Sequence, residues 1–159
     1  PTSERIRETL FNWLAPRIHG ARCLDAYAGT GALGLEALSR GAGSVVFVEK
    51  SPVAARQLRR NIDVLDARGA TVLQQAALDY LRDTATGPFD LVFLDPPFAA
   101  DLVEETCRLL EQHDLLATDA LVYIELPKIG VGAQLPSGWQ VKKNKTAGNV
   151  RYMLVSTGD

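Results

Sequence analysis

Two cysteines, two histidines and one methionine are all that this 159-residue chain contains of those residues. That is too few for a disulfide framework or a His/Cys metal cage. Cys23 falls in an apolar strand and Cys107 in a helical pattern, so both are expected as buried, reduced thiols in a cytoplasmic protein. His19 and His113 stand alone, without a second ligand at metal spacing, and are assigned to surface or capping positions; no metal is expected. No apolar run approaches the ~20 residues that span a bilayer, and neither a signal peptide nor a lipidation motif is visible. Repeats and low-complexity segments are absent. A large charge of one sign is also lacking: 17 Lys and Arg face 19 Asp and Glu, a net charge of −2. This argues against a protein coated in basic charge for indiscriminate binding to nucleic acid. Local basic clusters remain, with Lys142, Lys143, Lys145 and Arg151 near one end and Arg5 and Arg7 near the other.

What is present is ordinary globular composition, 47% hydrophobic and 23% charged, in a length suited to one domain over residues 1–159, expected to act as a monomer. The chain opens at Pro1 without an initiator Met, so an N-terminal extension is expected to be missing. Thr2 or Ser3 can cap a first helix carrying Ile6, Leu10, Trp13 and Leu14, ended before Pro16. Strands are predicted at Arg22–Ala26, Ser44–Glu49, Thr71–Leu73, Phe89–Leu94 and Leu121–Leu126. Helices are predicted between them: Ala32–Ser39, a long one opened by Ser51-Pro52 with Val53, Leu58, Ile62 and Leu65 inward, a short one at Leu78 and Leu81, and Asp101–Gln112. Such alternation implies an α/β fold with a parallel sheet covered on both faces. After loop 127–138, Trp139–Lys145 and Val150–Val155 around Ala147-Gly148-Asn149 read as an antiparallel hairpin.

Between the first strand and its helix, Gly29-Thr30-Gly31-Ala32-Leu33-Gly34 matches G-x-G-x-x-G. Glycines there permit a tight turn and close approach of a ligand to the backbone at a helix N-terminus. Asp25, closing the first strand, would repel a pyrophosphate and welcome an ammonium group. Glu49, closing the second, can take both hydroxyls of a ribose. A cofactor with an amino-acid tail and a ribose fits this pattern better than a dinucleotide, and S-adenosylmethionine has that shape. At the end of the third strand, Ala76 and Ala77 offer backbone groups and apolar contact to an adenine ring; Asp79 is left between that role and capping the next helix.

The fourth strand ends in Asp95-Pro96-Pro97-Phe98. Prolines fix φ and donate nothing to a ladder, so the turn is rigid. It holds a carboxylate and free carbonyls beside an aromatic face, which suits an exocyclic amine on a planar base. Asp25, Glu49, Ala77 and Asp95 all fall at carboxyl ends of successive strands, where open α/β sheets bind ligands.

Three stretches carry a family resemblance: Arg5-Ile6-Arg7-Glu8-Thr9-Leu10-Phe11-Asn12-Trp13-Leu14 after Pro1-Thr2, Leu24-Asp25-Ala26-Tyr27-Ala28-Gly29-Thr30-Gly31-Ala32-Leu33-Gly34 with its continuation to Gly41, and Asp95-Pro96-Pro97-Phe98. Together with Ala147-Gly148 and Arg151-Tyr152 they resemble the RsmD family, bacterial methyltransferases acting on a guanine N2 in 16S ribosomal RNA. The resemblance implies a seven-stranded, Rossmann-like class I methyltransferase fold. It implies that Asp25, Gly29, Gly31 and Glu49 contact S-adenosylmethionine, and that Asp95 to Phe98 hold the guanine amine on ribosomal RNA or the small ribosomal subunit. The residues themselves leave open an adenine-N6 methyltransferase, an NAD-linked oxidoreductase and a non-catalytic RNA-binding module.

Overall fold

Short apolar strands that alternate with amphipathic helices bury both faces of a sheet only if the helices wind over each side. The computed structural model describes residues 3–97, 100–130 and 132–158 and has this architecture. Its elements are α1 (Glu4–Leu14), β1 (Arg22–Asp25), α2 (Ala32–Ser39), β2 (Ser44–Val48), α3 (Pro52–Leu65), β3 (Ala70–Leu73), α4 (Ala77–Asp83), β4 (Phe89–Leu94), α5 (Ala100–Gln112), β5 (Leu116–Pro127), β6 (Gln140–Ala147) and β7 (Val150–Ser156). The seven strands lie in the order β3-β2-β1-β4-β5-β7-β6. Strands β1 to β5 pair in parallel, and β7 is antiparallel to both β5 and β6. The order reverses between β1 and β4, which opens a crevice at the carboxyl edge.

Residues on alternate sides of each strand feed two cores. Leu24, Val92 and Ile124 pack with Tyr80 and Leu81 of α4 and Val103 and Leu110 of α5. Cys23, Phe47, Phe93 and Tyr123 pack on the other face with Leu10 and Phe11 of α1, Ala37 of α2 and Leu58 of α3. Each fully buried Leu or Phe contributes about 1.5–3 kcal/mol. Helices α1 and α3 start on serine caps: the Ser3 hydroxyl accepts from the Ile6 N–H and Ser51 from the Ala54 N–H, both at 3.2 Å.

Three local expectations give way. In α3 the inward residues are Ala55 and Leu58, while Val53 and Leu65 are 69% and 63% exposed. A helix of 14 residues is about 21 Å long and overhangs the short β2 and β3, and Val53 lies off the Leu58 stripe. Strand β5 starts at Leu116, not Leu121, because its first residues pair with Phe89 across a register shift although Thr118 and Asp119 look like loop. Trp139 precedes β6 and turns inward, its indole N–H donating to Glu111 Oε2 at 3.4 Å.

Candidate functional site

Four strand ends define a cleft of about 730 Å³ at the carboxyl edge, lined among others by Asp25, Gly29, Glu49, Ala77, Asp95 and Pro96. Asp25 is the last residue of β1, Glu49 follows β2, Ala77 opens α4 after β3, and Asp95 follows β4. Parallel pairing in register delivers them to one place: Asp25 pairs with Phe47 on one side and with Phe93 on the other.

Glu49 is held rigidly. Its Oε1 accepts the Gly29 N–H at 2.7 Å and its Oε2 the Ser51 N–H at 2.8 Å. Each carboxylate oxygen keeps a second lone-pair site, so the two hydroxyls of a ribose still find acceptors there. Gly29 has φ +58 and open space where a Cβ would stand; it serves the tight left-handed turn beside the cleft.

Asp25 is 3% exposed, and its Oδ2 accepts the Gly34 N–H at 3.0 Å. Burial pushes its carboxyl up to about 7; the Gly34 N–H opposes the shift, and the Asp95 and Glu49 carboxylates add to it. Three acids within electrostatic reach of one another stabilise a cationic ligand and repel a diphosphate. That charge pattern fits the ammonium and sulfonium groups of S-adenosylmethionine, and the pinned Glu49 fits its ribose.

Pro96 is buried and Pro97 exposed at the rim of the same cleft; Phe98 lies outside the described residues. Gly31 and Gly34 do not line the cleft. Gly31 has φ +91, and a Cβ there would meet Leu58 Cδ1 at 2.3 Å; one on Gly34 would meet the Phe47 ring at 2.2 Å. Both glycines let α2 pack against its neighbours, a role distinct from touching a ligand. Asp79 lies at the cleft in the first turn of α4, paired with Arg82 at 2.7 Å. It does not cap the helix, whose N-cap is Ala76.

Several contributors had no signal in the sequence. Tyr27 lines the cleft with its hydroxyl 2.6 Å from Thr106 Oγ1. The Thr30 carbonyl is held by Asn61 Nδ2 at 3.0 Å, and Asn61 in turn accepts from Gln57 at 2.9 Å. On β5, where it pairs with Phe93 of β4, the buried Tyr123 donates to Glu125 Oε2 at 2.7 Å. Burial and the Glu125 and Asp95 carboxylates push the Tyr123 phenol up. Only side-chain parity along β5, invisible until β5 is paired, brings Tyr123 and Glu125 to this place. Among the described residues no cluster of His, Cys, Asp and Glu suits a metal, and no helix is long and apolar enough to cross a membrane.

A β3-β2-β1-β4-β5-β7-β6 sheet with acids closing its first two strands and an Asp-Pro-Pro turn closing the fourth is that of a class I S-adenosylmethionine-dependent methyltransferase. The solved RNA methyltransferase of Salinibacter ruber in complex with S-adenosyl-L-homocysteine shares this fold, with a TM-score of 0.75, 13% identity, and coverage of 100% of this chain and 94% of that one. More particularly, the chain belongs to the RsmD family: the family model described as conserved hypothetical protein 95 matches residues 1–156. It is 46% identical over 154 residues to ribosomal RNA small subunit methyltransferase D of Escherichia coli (strain K12), covering 97% of this chain and 77% of that protein. The Haemophilus influenzae protein of the same name is 45% identical over 157 residues, covering 97% and 81%. The solved yhhF protein of Escherichia coli superposes with a TM-score of 0.92 at 43% identity, covering 99% of this chain and 88% of that one.

Proposed function

We propose that this chain transfers a methyl group from S-adenosylmethionine to the exocyclic N2 amine of a guanine in small-subunit (16S) ribosomal RNA. The observation that carries this reading is the presence of Gly29, Asp25 and Glu49 in one cleft with the Asp95-Pro96-Pro97 turn. The names of its relatives, small-subunit ribosomal RNA methyltransferases, support the substrate class.

When bound, S-adenosylmethionine supplies a methyl group activated by its sulfonium. Glu49 holds the ribose hydroxyls, Asp25 faces the positive charge, and Ala77 with its neighbours offers backbone groups to the adenine. An aromatic amine is a poor nucleophile because its lone pair is delocalised into the ring. Asp95 Oδ and the Pro96 carbonyl accept the two N–H bonds of the amine, which lets the nitrogen pyramidalise and directs its lone pair away from them. The gain is orientation plus stabilisation of the positive charge that develops on nitrogen as the S–CH3 bond breaks, a charge discharged when one amine proton passes to Asp95 or to water. The sequence assigns the role of stacking on the base to Phe98, a kind of contact worth about 1–3 kcal/mol. A guanine stacked inside a duplex cannot reach the turn, so the target is unpaired, flipped or exposed in a loop.

The test supplies the purified chain with methyl-labelled S-adenosylmethionine and, separately, ribosomal RNA and small ribosomal subunits from cells lacking the gene. Nuclease digestion and chromatography should yield labelled N2-methylguanosine. Labelled N6-methyladenosine would reassign the target base. Calorimetric binding of NAD in preference to S-adenosylmethionine would overturn the enzyme class.

A further inference from the structure

From Leu126 to Gly158 the chain carries Lys128, Lys142, Lys143, Lys145 and Arg151 and no Asp or Glu, although acids outnumber bases in the whole sequence. The topology decides where this charge goes. Because β7 runs antiparallel to β5, the hairpin brings the end of β6 and the start of β7 to the carboxyl edge of the sheet, where β4 delivers Asp95. Leu94 pairs with Ile124; one residue further along, Glu125 pairs with Tyr152 and Tyr152 with Lys145. The next row is Leu126, Arg151 and Thr146. Lys128 follows β5, fixed by its N–H on the Asn149 carbonyl at 2.7 Å. Strands are spaced about 4.8 Å apart, so β6, three strands from β4, stands about 14 Å from the proline turn. Lys143 lies two residues from Lys145 along β6, on the same face.

These cations are not neutralised from within. The ion pairs among the described residues join Arg40 to Glu36, Arg82 to Asp79 and Arg108 to Glu105, and none involves the hairpin. Every residue of β6 but the last is exposed. Charge on an edge strand blocks the addition of a foreign strand, but charge of either sign does that. Uniformly positive charge, unpaired and at the edge that holds the Asp95 turn, is complementary to a polyanion.

We propose that Lys143 and Lys145, which share one face of the exposed edge strand β6, form the docking surface for the RNA phosphate backbone flanking the target nucleotide; Arg151, one row along, belongs to the other face of the sheet. This inference rests on the RNA-substrate reading above and extends it beyond the cleft. The phosphates on one side of the seated base run across β5 and β7 to the edge strand, and the lysines release counterions as they neutralise them.

Fluorescence anisotropy with a labelled single-stranded RNA, over a series of KCl concentrations, tests the surface. The chains compared are wild type, Lys143→Gln with Lys145→Gln, Lys143→Glu with Lys145→Glu, and Arg59→Gln on α3 as a distant control. Each phosphate left without its lysine lowers the salt slope by about 0.7 for a single strand, so the double Gln variant should bind roughly tenfold or more weakly at 0.1 M salt, with a slope shallower by about 1.4. The double Glu variant, which keeps the edge charged, should bind more weakly still. Arg59→Gln should match wild type, and calorimetric S-adenosylmethionine affinity should be unchanged throughout. Wild-type affinity in the double variants, or weaker binding with an unaltered slope, overturns the surface while leaving the substrate reading intact. Absence of salt-dependent RNA binding by the wild-type chain overturns both.

Discussion

Asp25 accepts the N–H of Gly34 at 3.0 Å from beneath the start of α2. That amide is one of the unpaired donors at the start of a helix, the donors that a phosphate site uses to hold an anion. Here a protein carboxylate already occupies the position. The glycine loop therefore has the spacing of a dinucleotide site and the charge of a site for cations.

The buried carboxylate predicts a pH effect of definite sign. Asp25 titrates at 3.8 in the unfolded chain and near 7 in the folded one, so the folded state binds the extra proton between those values. Its contribution to stability therefore falls as pH rises from about 4 to about 7, and the deficit is complete above 7. Asp25→Asn should raise the Tm of the ligand-free protein at pH 8 and scarcely change it at pH 4. An equal shift at both pH values would mean that Asp25 is ionised throughout.

Binding of a cationic cofactor beside Asp25 should expel that proton. Calorimetry with S-adenosylmethionine at pH 6, in buffers of different ionisation enthalpy, should show proton release that fades above pH 7. A heat independent of buffer at pH 6 would place the cation elsewhere.

Asp95 is assigned to the amine and not to the cofactor. Asp95→Ala should lower methyl transfer by about 10²–10³-fold or more, the scale of losing one preorganised acceptor, with S-adenosylmethionine affinity within about threefold of wild type. Single-turnover transfer paired with calorimetry checks this. Full activity in the variant rules the role out.

The three glycines should separate by mechanism. Gly34→Ala drives a methyl into the Phe47 ring, with approaches of 2.2 and 2.7 Å, and should cost about 1–3 kcal/mol in denaturant unfolding. Gly29→Ala meets no atom and should cost only the left-handed backbone strain of about 1–2 kcal/mol. Gly31→Ala combines both penalties and should be the least stable of the set.

Burial pushes both the Cys23 and the Cys107 thiols up to about 12, so neither forms a reactive thiolate near neutral pH. Ellman's reagent should find no thiol in the folded protein and two after denaturation. Rapid reaction of either thiol before unfolding would contradict the packing of α5 or β1.

Much of the local structure could be read from single segments. Strand β4 (Phe89–Leu94) and helix α2 (Ala32–Ser39) run to the predicted residues, because Gly87-Pro88, the double proline and the glycine loop punctuate them. Where punctuation was missing the boundaries moved: Leu116 to Ala120 joined β5 only because Phe89 was there to pair with. Gly31 and Gly34 are indistinguishable from Gly29 in a motif, since their difference is which atoms stand where a Cβ would be. Tyr123 and Glu125 read as ordinary strand residues until β4 and β7 flanked them.

The chain's own residues determined the alternation of strand and helix, the glycine turn after the first strand and the stiff stop after the fourth, since these depend on φ restrictions and apolar periodicity over a few residues. Only the tertiary structure decided that Asp25, Glu49 and Asp95 share one cleft, that the Asp25 carboxyl rises to about 7, and that the hairpin lysines stand at the same edge. Strand order and burial are set by pairing between segments tens of residues apart, and the electrostatic environment of a carboxylate exists only once those segments have excluded water from it.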